Sequence, residues 1–360
     1  MRPPLTSHAG TGSQGGACRL AAGVTLQGCK GQASAEAATG ALSGRHRGEH
    51  RRSGRPESAV NVKHSGSVLS QLSHASPQSL RVRRFLHGLG PVFIGMAHLG
   101  CALLLVTGLG LGAGLWALAL YLARMLATTA IYHRLIAHRS YQAPRLVWWL
   151  GSLVAASSGQ MGPSWWKAHH LAHHRHVDAP LDPHTPLRGT GVWRGFWDSQ
   201  LGWLLSPRFH PESLPADVEA DPVLRLIDRA HVVPALALGL LSWWIGGLEW
   251  LAAYCLSTTL LFHGVASVNS VAHLVGDQPF ATGDASRNNR WVALLTLGEG
   301  WHNLHHAFQA SVRQGFSLRD GQVVRLPDPT YRFIRLLERL GWASHLKIPS
   351  QRALQARAAG

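Results

Sequence analysis

From Pro91 to Ala123 the chain runs for 33 residues without a charged side chain. One bilayer-crossing helix needs only about 20 apolar residues. GLGLGAG at Gly108–Gly114 supplies the glycines of a turn in the middle of the run. The pattern therefore predicts two short spans, residues 91–107 and 115–132. A second apolar stretch, His231 to His273, is interrupted only by Glu249. Its turn is expected at Gly246–Glu249, giving spans at 232–247 and 250–272. Arg124 falls inside the second span and must face the bundle or reach toward an interface. Leu146–Gln160 is uncharged but too short to cross, which suits an interfacial or re-entrant helix. Residues 161–230 are polar and punctuated by prolines. After Asp277 the chain stays outside the membrane, where Tyr331–Leu340 reads as a basic amphipathic helix on its surface.

Two hairpins return both termini to one side. The expected turns hold no Lys or Arg, so the positive charge gathers on the opposite, cytoplasmic side. Residues 1–75, rich in Gly, Ala, Ser, Gln and Arg, are expected to form a disordered arm without the apolar core of a signal peptide.

Composition supports this picture. Charged residues make up 14% of the 360, against about 25% in soluble domains. There are 14 tryptophans to 5 tyrosines, which suits long stretches in or near lipid. Residues 1–90 hold 12 Lys or Arg and 3 acidic residues, so +9 of the net +16 lies there. That segment has no aromatic residue before Phe85 and no periodic helix, so no nucleic-acid partner is expected. Cys18, Cys29, Cys101 and Cys255 form no CxxC pair, which argues against a zinc ribbon and a disulfide framework.

The chemistry lies in histidine. WWKAHHLAHHRH at Trp165–His176 places five histidines in eight residues. His170, His173 and His174 share a helical face; the spacing equally allows His169, His173 and His176. WHNLHH repeats the pattern with His302, His305 and His306, and HRLIAH adds His133 and His138. The latter are five apart and fit a helix end, where the chain can bend both inward. NSVAH places Asn269 and His273 at i, i+4 where the fourth span ends. A solvated, pH-sensitive run explains one cluster; three imply a shared metal site, and so many nitrogens imply more than one metal. Imidazole suits Zn, Cu, Fe and Ni.

HRLIAH, HHLAHH, NSVAH and WHNLHH, in this order around two hairpins, resemble the membrane fatty acyl desaturases related to stearoyl-CoA desaturase, of the bacterial type. The most specific parts are GDASRNNRWVALLTLGEGWHNLHH at residues 283–306 and DPH at 182–184, followed by GFW and LGW. The resemblance covers residues 81–350. It implies an all-α membrane protein: four transmembrane helices in two hairpins, with a cytoplasmic helical cap holding a histidine-rich di-iron site. Residues 1–75 are then an arm, 76–350 the desaturase domain and 351–360 a C-terminal tail. The implied activity uses O2 and two electrons to place a cis, delta-9 double bond in a saturated acyl chain. The implied ligands are His133, His138, His170, His173, His174, His273, His302, His305 and His306, with Asn269 acting through a water; the pattern selects His170 over His169. Asp178, Asp182 and Glu299 are either carboxylates that orient imidazole N–H groups or loop charges. Trp148, Trp149, Trp165 and Trp166 line an acyl tunnel or anchor the interface.

The sequence departs from the family in places. Ala168 and His169 replace an Arg-Asp pair of the animal enzymes, and Gln200 stands where many relatives carry histidine. There is no HPGG haem motif, so a separate carrier, a ferredoxin or b-type cytochrome, must deliver electrons. The acyl substrate is CoA-bound or lipid-linked, and the expected location is the bacterial inner membrane. The rival enzyme reading is a histidine-box hydroxylase of lipids or alkanes; NSVAH and GDASRNN favour the desaturase. A metal transporter would place polar groups at the bilayer midplane, whereas these clusters lie outside the predicted spans.

Overall fold

The computed structural model describes residues 77–189 and 191–358; the basic arm at 1–75 lies outside the described residues. The fold is mostly helical. Helix α1 (Pro77–Gly100) continues through a 3-10 turn at Cys101–Leu103 into α2 (Leu104–Thr107). α1 begins well before the apolar run, because hydropathy marks where a helix can meet lipid and not where it ends. The chain turns at Gly108, whose φ of 68° needs a glycine. α3 (Leu111–Leu126) then runs without a break into a π-helical segment, Ala127–Ala137. α9 (Val232–Ser270) leaves helical geometry at Gly246 and Gly247, the latter at φ 64°. Its two arms pack on each other: the Tyr254 hydroxyl donates to Ala235 O at 2.6 Å. Glu249 accepts a hydrogen bond from Gly110 N, so the two turns are neighbours.

Three helical stretches are long and apolar enough to cross a membrane: Arg81–Thr107, Leu111–Ala137 and the 42-residue Val232–His273. Their outer faces expose large apolar side chains such as Leu105, Leu111, Leu240 and Trp244. Arg124 faces inward. It donates to Thr258 Oγ1 at 2.8 Å, Ser257 Oγ at 2.7 Å and Ser157 O at 3.2 Å, as a buried guanidinium must to offset its lost hydration.

α4 (Arg145–Ala156) packs along the π-helical segment, and short helices close over the opposite end from the two turns: α5 (Pro163–His176), α6 (Val192–Gln200), α7 (Ala216–Glu219), α8 (Pro222–Arg229), α10 (Arg290–Leu295), α11 (His302–Ala307), α12 (Pro329–Arg339) and α13 (Gln351–Ala356). Against the all-α expectation, β1 (Phe316–Arg319) and β2 (Gln322–Arg325) pair antiparallel, Arg319 opposite Gln322. The turn is Asp320–Gly321 with φ of 50° and 72°, the positive pair that a two-residue hairpin loop requires. The segment expected as a tail is partly structured: α13 buries Leu354 against Phe280, Leu304 and Phe316. α12 is half sunk into the protein. Its Ile334 and Leu337 join Tyr132, Leu135, Ile136 and Trp148 in the main core, while Arg332, Arg335 and Arg339 face outward.

Candidate metal centre

Four segments deliver the histidines. On an α-helix, residues five apart project about 140° from each other. The π-helical segment changes that: His138 N donates to His133 O at 3.1 Å, an i→i+5 bond, and the two rings stand 4.9 Å apart. A widened turn, and not a bent end, aligns them. α5 brings His170, His173 and His174. Its N-terminus is fixed from α8, where the Asp228 carboxylate accepts from Ser164 N at 2.9 Å and Trp165 N at 3.0 Å. His273 ends the long hairpin, and α11 holds His302, His305 and His306. GEG packs tightly before α11. Gly298 sits at φ 124°, and a Cβ on Gly300 would lie 2.1 Å from Ala293 N.

The imidazoles form two adjacent nests. In the first, His133 Nε2 is 3.1 Å from His305 Nε2, His138 Nε2 is 2.5 Å from His170 Nε2, and His174 Nε2 lies 3.1 Å from His170 and 2.8 Å from His305. In the second, His302 Nε2 is 3.1 Å from both His273 and His306, and His306 Nε2 is 3.3 Å from His173. Asn269 lines the cavity beside them. All nine histidines expected from the sequence are thus together.

In four of the nine rings the far side fixes the tautomer. The Nδ1 atoms donate to carboxylates: His133 to Glu299, His173 to Asp182 at 2.9 Å, His273 to Asp178 at 3.1 Å and His306 to Asp284 at 2.9 Å. With the proton on Nδ1, each Nε2 presents a lone pair to the nest. Burial, then the neighbouring imidazoles, pushes His138, His170, His174, His302 and His305 well below the usual histidine range. Burial also carries His306 down to about 4 against the pull of Asp284. Burial alone would raise the carboxylates, but their histidine partners hold Asp178, Asp182, Asp284 and Glu299 below the ordinary range. These shifts favour neutral rings at His138, His170, His174, His302, His305 and His306 and ionised carboxylates, the state a metal ligand set requires.

Neutral lone pairs about 3 Å apart repel unless a cation lies between them. Two nitrogens at right angles about a metal, each ~2.1 Å away, have that separation. Five imidazoles in the first nest exceed the four ligands of a zinc site. The donor set, all nitrogen with no thiolate, fits iron.

The sequence singled out three of the four carboxylates. It missed Asp284, although GDASRNN contains it, and Gln314. Gln314 Nε2 lies 3.3 Å from His305 Nδ1, while its own Oε1 is buried without a partner. Reversing that amide lets Oε1 accept from His305 Nδ1–H. The set His169, His173 and His176 is not brought together. His169 stacks on Trp165 with ring centres 3.9 Å apart, and its nitrogens face the carbonyls of Trp165 and Arg208 at 3.1 and 3.0 Å. Of the four tryptophans, Trp165 and Trp166 line the cavity, Trp148 is in the core beneath Arg139, and Trp149 donates to Asp221. Gln200 bonds His263 at 3.0 Å and Ser270 at 2.6 Å.

A cavity of about 100 Å³, open on one side, reaches the nests. His133, His170 and His302 stand at one part of its wall; Ile94, Met125, Phe262, Val265 and Ala266 give the remainder an apolar surface.

The family model described as "Fatty acid desaturase" matches residues 109–313. An acyl-CoA C20 delta5-desaturase of Anemone leveillei is 35% identical over 240 residues, covering 65% of this chain and 73% of the relative. An sn-1 stearoyl-lipid 9-desaturase of Anabaena variabilis is 34% identical, covering 63% and 80%. A hex-5-enoyl-[acyl-carrier protein] acetylenase of Moorena producens is 33% identical, covering 69% and 79%.

Proposed function

The chain belongs to the fatty acid desaturase family of oxidoreductases, and on that premise we propose that it places a cis, delta-9 double bond in a saturated acyl chain at a di-iron centre. Supporting this reading above all are the two nests of Nε2 lone pairs, backed by four carboxylates, at the wall of an apolar cavity. His133, His138, His170, His174 and His305 would hold one iron and His173, His273, His302 and His306 the other, with Asn269 acting through a water. When bound and reduced, the irons supply with O2 the oxidising power to take two hydrogens from unactivated methylenes. Overall, one O2, two electrons and two protons join two substrate hydrogens to give two waters and the alkene.

The protein's own part is positioning. Ile94, Met125, Phe262 and Val265 exclude water and hold the acyl chain extended, so that its distance from the cavity mouth sets which carbons reach the nests. Glu299, Asp182, Asp178 and Asp284 hold the Nδ1 protons, keeping each Nε2 aimed inward. CoA-bound or lipid-linked acyl groups are the substrates proposed here, since the relatives' names include both. Electrons come from a separate carrier, a ferredoxin or b-type cytochrome. The apolar helices are proposed as four spans in two hairpins, with both termini and the metal centre on the cytoplasmic side of a bacterial inner membrane.

Expression in a host that lacks the activity tests the reading. The expected result is a new monounsaturated acyl chain, with two irons per chain in the purified protein. An alcohol in place of the alkene would overturn it in favour of a hydroxylase.

A further inference from the structure

A second cavity lies on the back of the π-helical segment. It measures about 460 Å³ and has almost purely apolar walls. Ala123, Leu126, Ala127 and Ile131 form one side, Pro144 through Val154 of α4 another, and Phe333, Leu337 and Trp342 its end. It shares no lining residue with the cavity at the metal centre, because His133 and Thr129 point to the opposite face of the segment from Ile131.

The groove has a direction. The Tyr141 hydroxyl bonds Ala130 O, setting the start of α4 at the level of the cap. Arg124 bonds Ser157 O, setting the end of α4 deep in the apolar region. Leu146, Leu150 and Leu153 are exposed along its rim. At the end formed by Phe333 and Leu337 stand exposed Trp342, Leu336 and Leu340, and the charge on α12 is one-sided: Arg332, Arg335 and Arg339 against a single acid, Glu338. Glu338 pairs with Arg335; among the described residues, Arg332 and Arg339 have no acidic partner.

An apolar channel closed at one end by Phe333, Leu337 and a tryptophan, on a helix whose outward face carries unpaired guanidinium groups, matches one class of molecule. We propose that the groove holds one acyl chain of an anionic phospholipid from the surrounding bilayer, its headgroup phosphate met by Arg332 and Arg339. The site rests on the reading of the chain as membrane-embedded, but not on its chemistry. The bound tail packs behind Ile131, in the segment that carries His133, and so braces the frame of the first nest.

The test uses the full chain purified in mild detergent, with phosphatidylglycerol and phosphatidylcholine as probes. Retained phospholipid is extracted and quantified, and the unfolding midpoint is read after adding each lipid. Phosphatidylglycerol should be retained above its share of the supply and should raise the midpoint more than phosphatidylcholine. Val147→Trp, which fills the groove, should lose retention. Arg332→Glu with Arg339→Glu should lose the preference while keeping some lipid, and this pair carries the test if Val147→Trp does not fold. Retention of both lipids in proportion to supply, or wild-type retention in Val147→Trp, overturns the proposal. Extraction of the chain without detergent overturns the membrane reading instead.

Discussion

Glu299 is where metal binding and folding can be separated by mutation. One carboxylate oxygen accepts a hydrogen bond from His133 Nδ1–H; the other accepts from Arg134 Nε at 3.2 Å and Nη2 at 2.9 Å. Glu299→Gln keeps the shape but adds an amide donor with nowhere to go. Turned toward His133, the NH2 demands a lone pair on Nδ1, which moves the ring proton to Nε2 and removes the ligand. Turned toward Arg134, it meets a guanidinium that only donates. Losing such an outer partner typically costs 10–100-fold in metal affinity, about 1.4–2.7 kcal/mol. Asp328→Asn is the control. Asp328 holds the same Arg134 at 3.0 Å and caps α12 through Tyr331 N at 2.9 Å, yet it touches no histidine. It should cost stability, about 1–3 kcal/mol for a charge-assisted buried bond, with iron affinity little changed. Competition with a chelator gives affinity, and thermal melting of the metal-free protein gives stability. Wild-type iron affinity in Glu299→Gln, or equal iron loss in both variants, would refute the argument.

Other outcomes follow from the same contacts. His170→Ala and His305→Ala should abolish desaturation and lower iron per chain, while His169→Ala should keep iron and lose about 1–3 kcal/mol of stability with its two carbonyl contacts; iron analysis and melting of the three variants decide it. Burial raises the Asp228 carboxyl from 3.8 to about 6. Because its folded value lies above the unfolded one, its contribution is complete below pH 4 and is lost as pH rises through 6, a swing of about 3 kcal/mol. Asp228→Asn should flatten that part of the stability profile in denaturant titrations from pH 4 to 7, and an unchanged slope would rule the group out. Reporter fusions at Gly110 and Gly247 should read the far side of the membrane, and one at Asp182 the near side; a near-side signal at Gly110 would break the first hairpin.

Much of this protein is written locally. The two apolar runs and their glycine turns depend on hydropathy and on the freedom of Gly108 and Gly247 to take positive φ, so both turns are legible in sequence. The HxxHH faces of α5 and α11 follow from helical period alone. Period could not choose between His170 and His169, because both lie within one turn of His173; the choice depends on what stands opposite. His170 meets His138 and His174, whereas His169 meets the carbonyls of Trp165 and Arg208. The π-helical widening that aligns His133 with His138, the reach of Asp284 and Gln314 to their imidazoles, and the groove behind Ile131 likewise carry no local signal. Each joins segments tens to hundreds of residues apart, and which groups meet there is decided by packing and by the need of every buried proton donor for an acceptor.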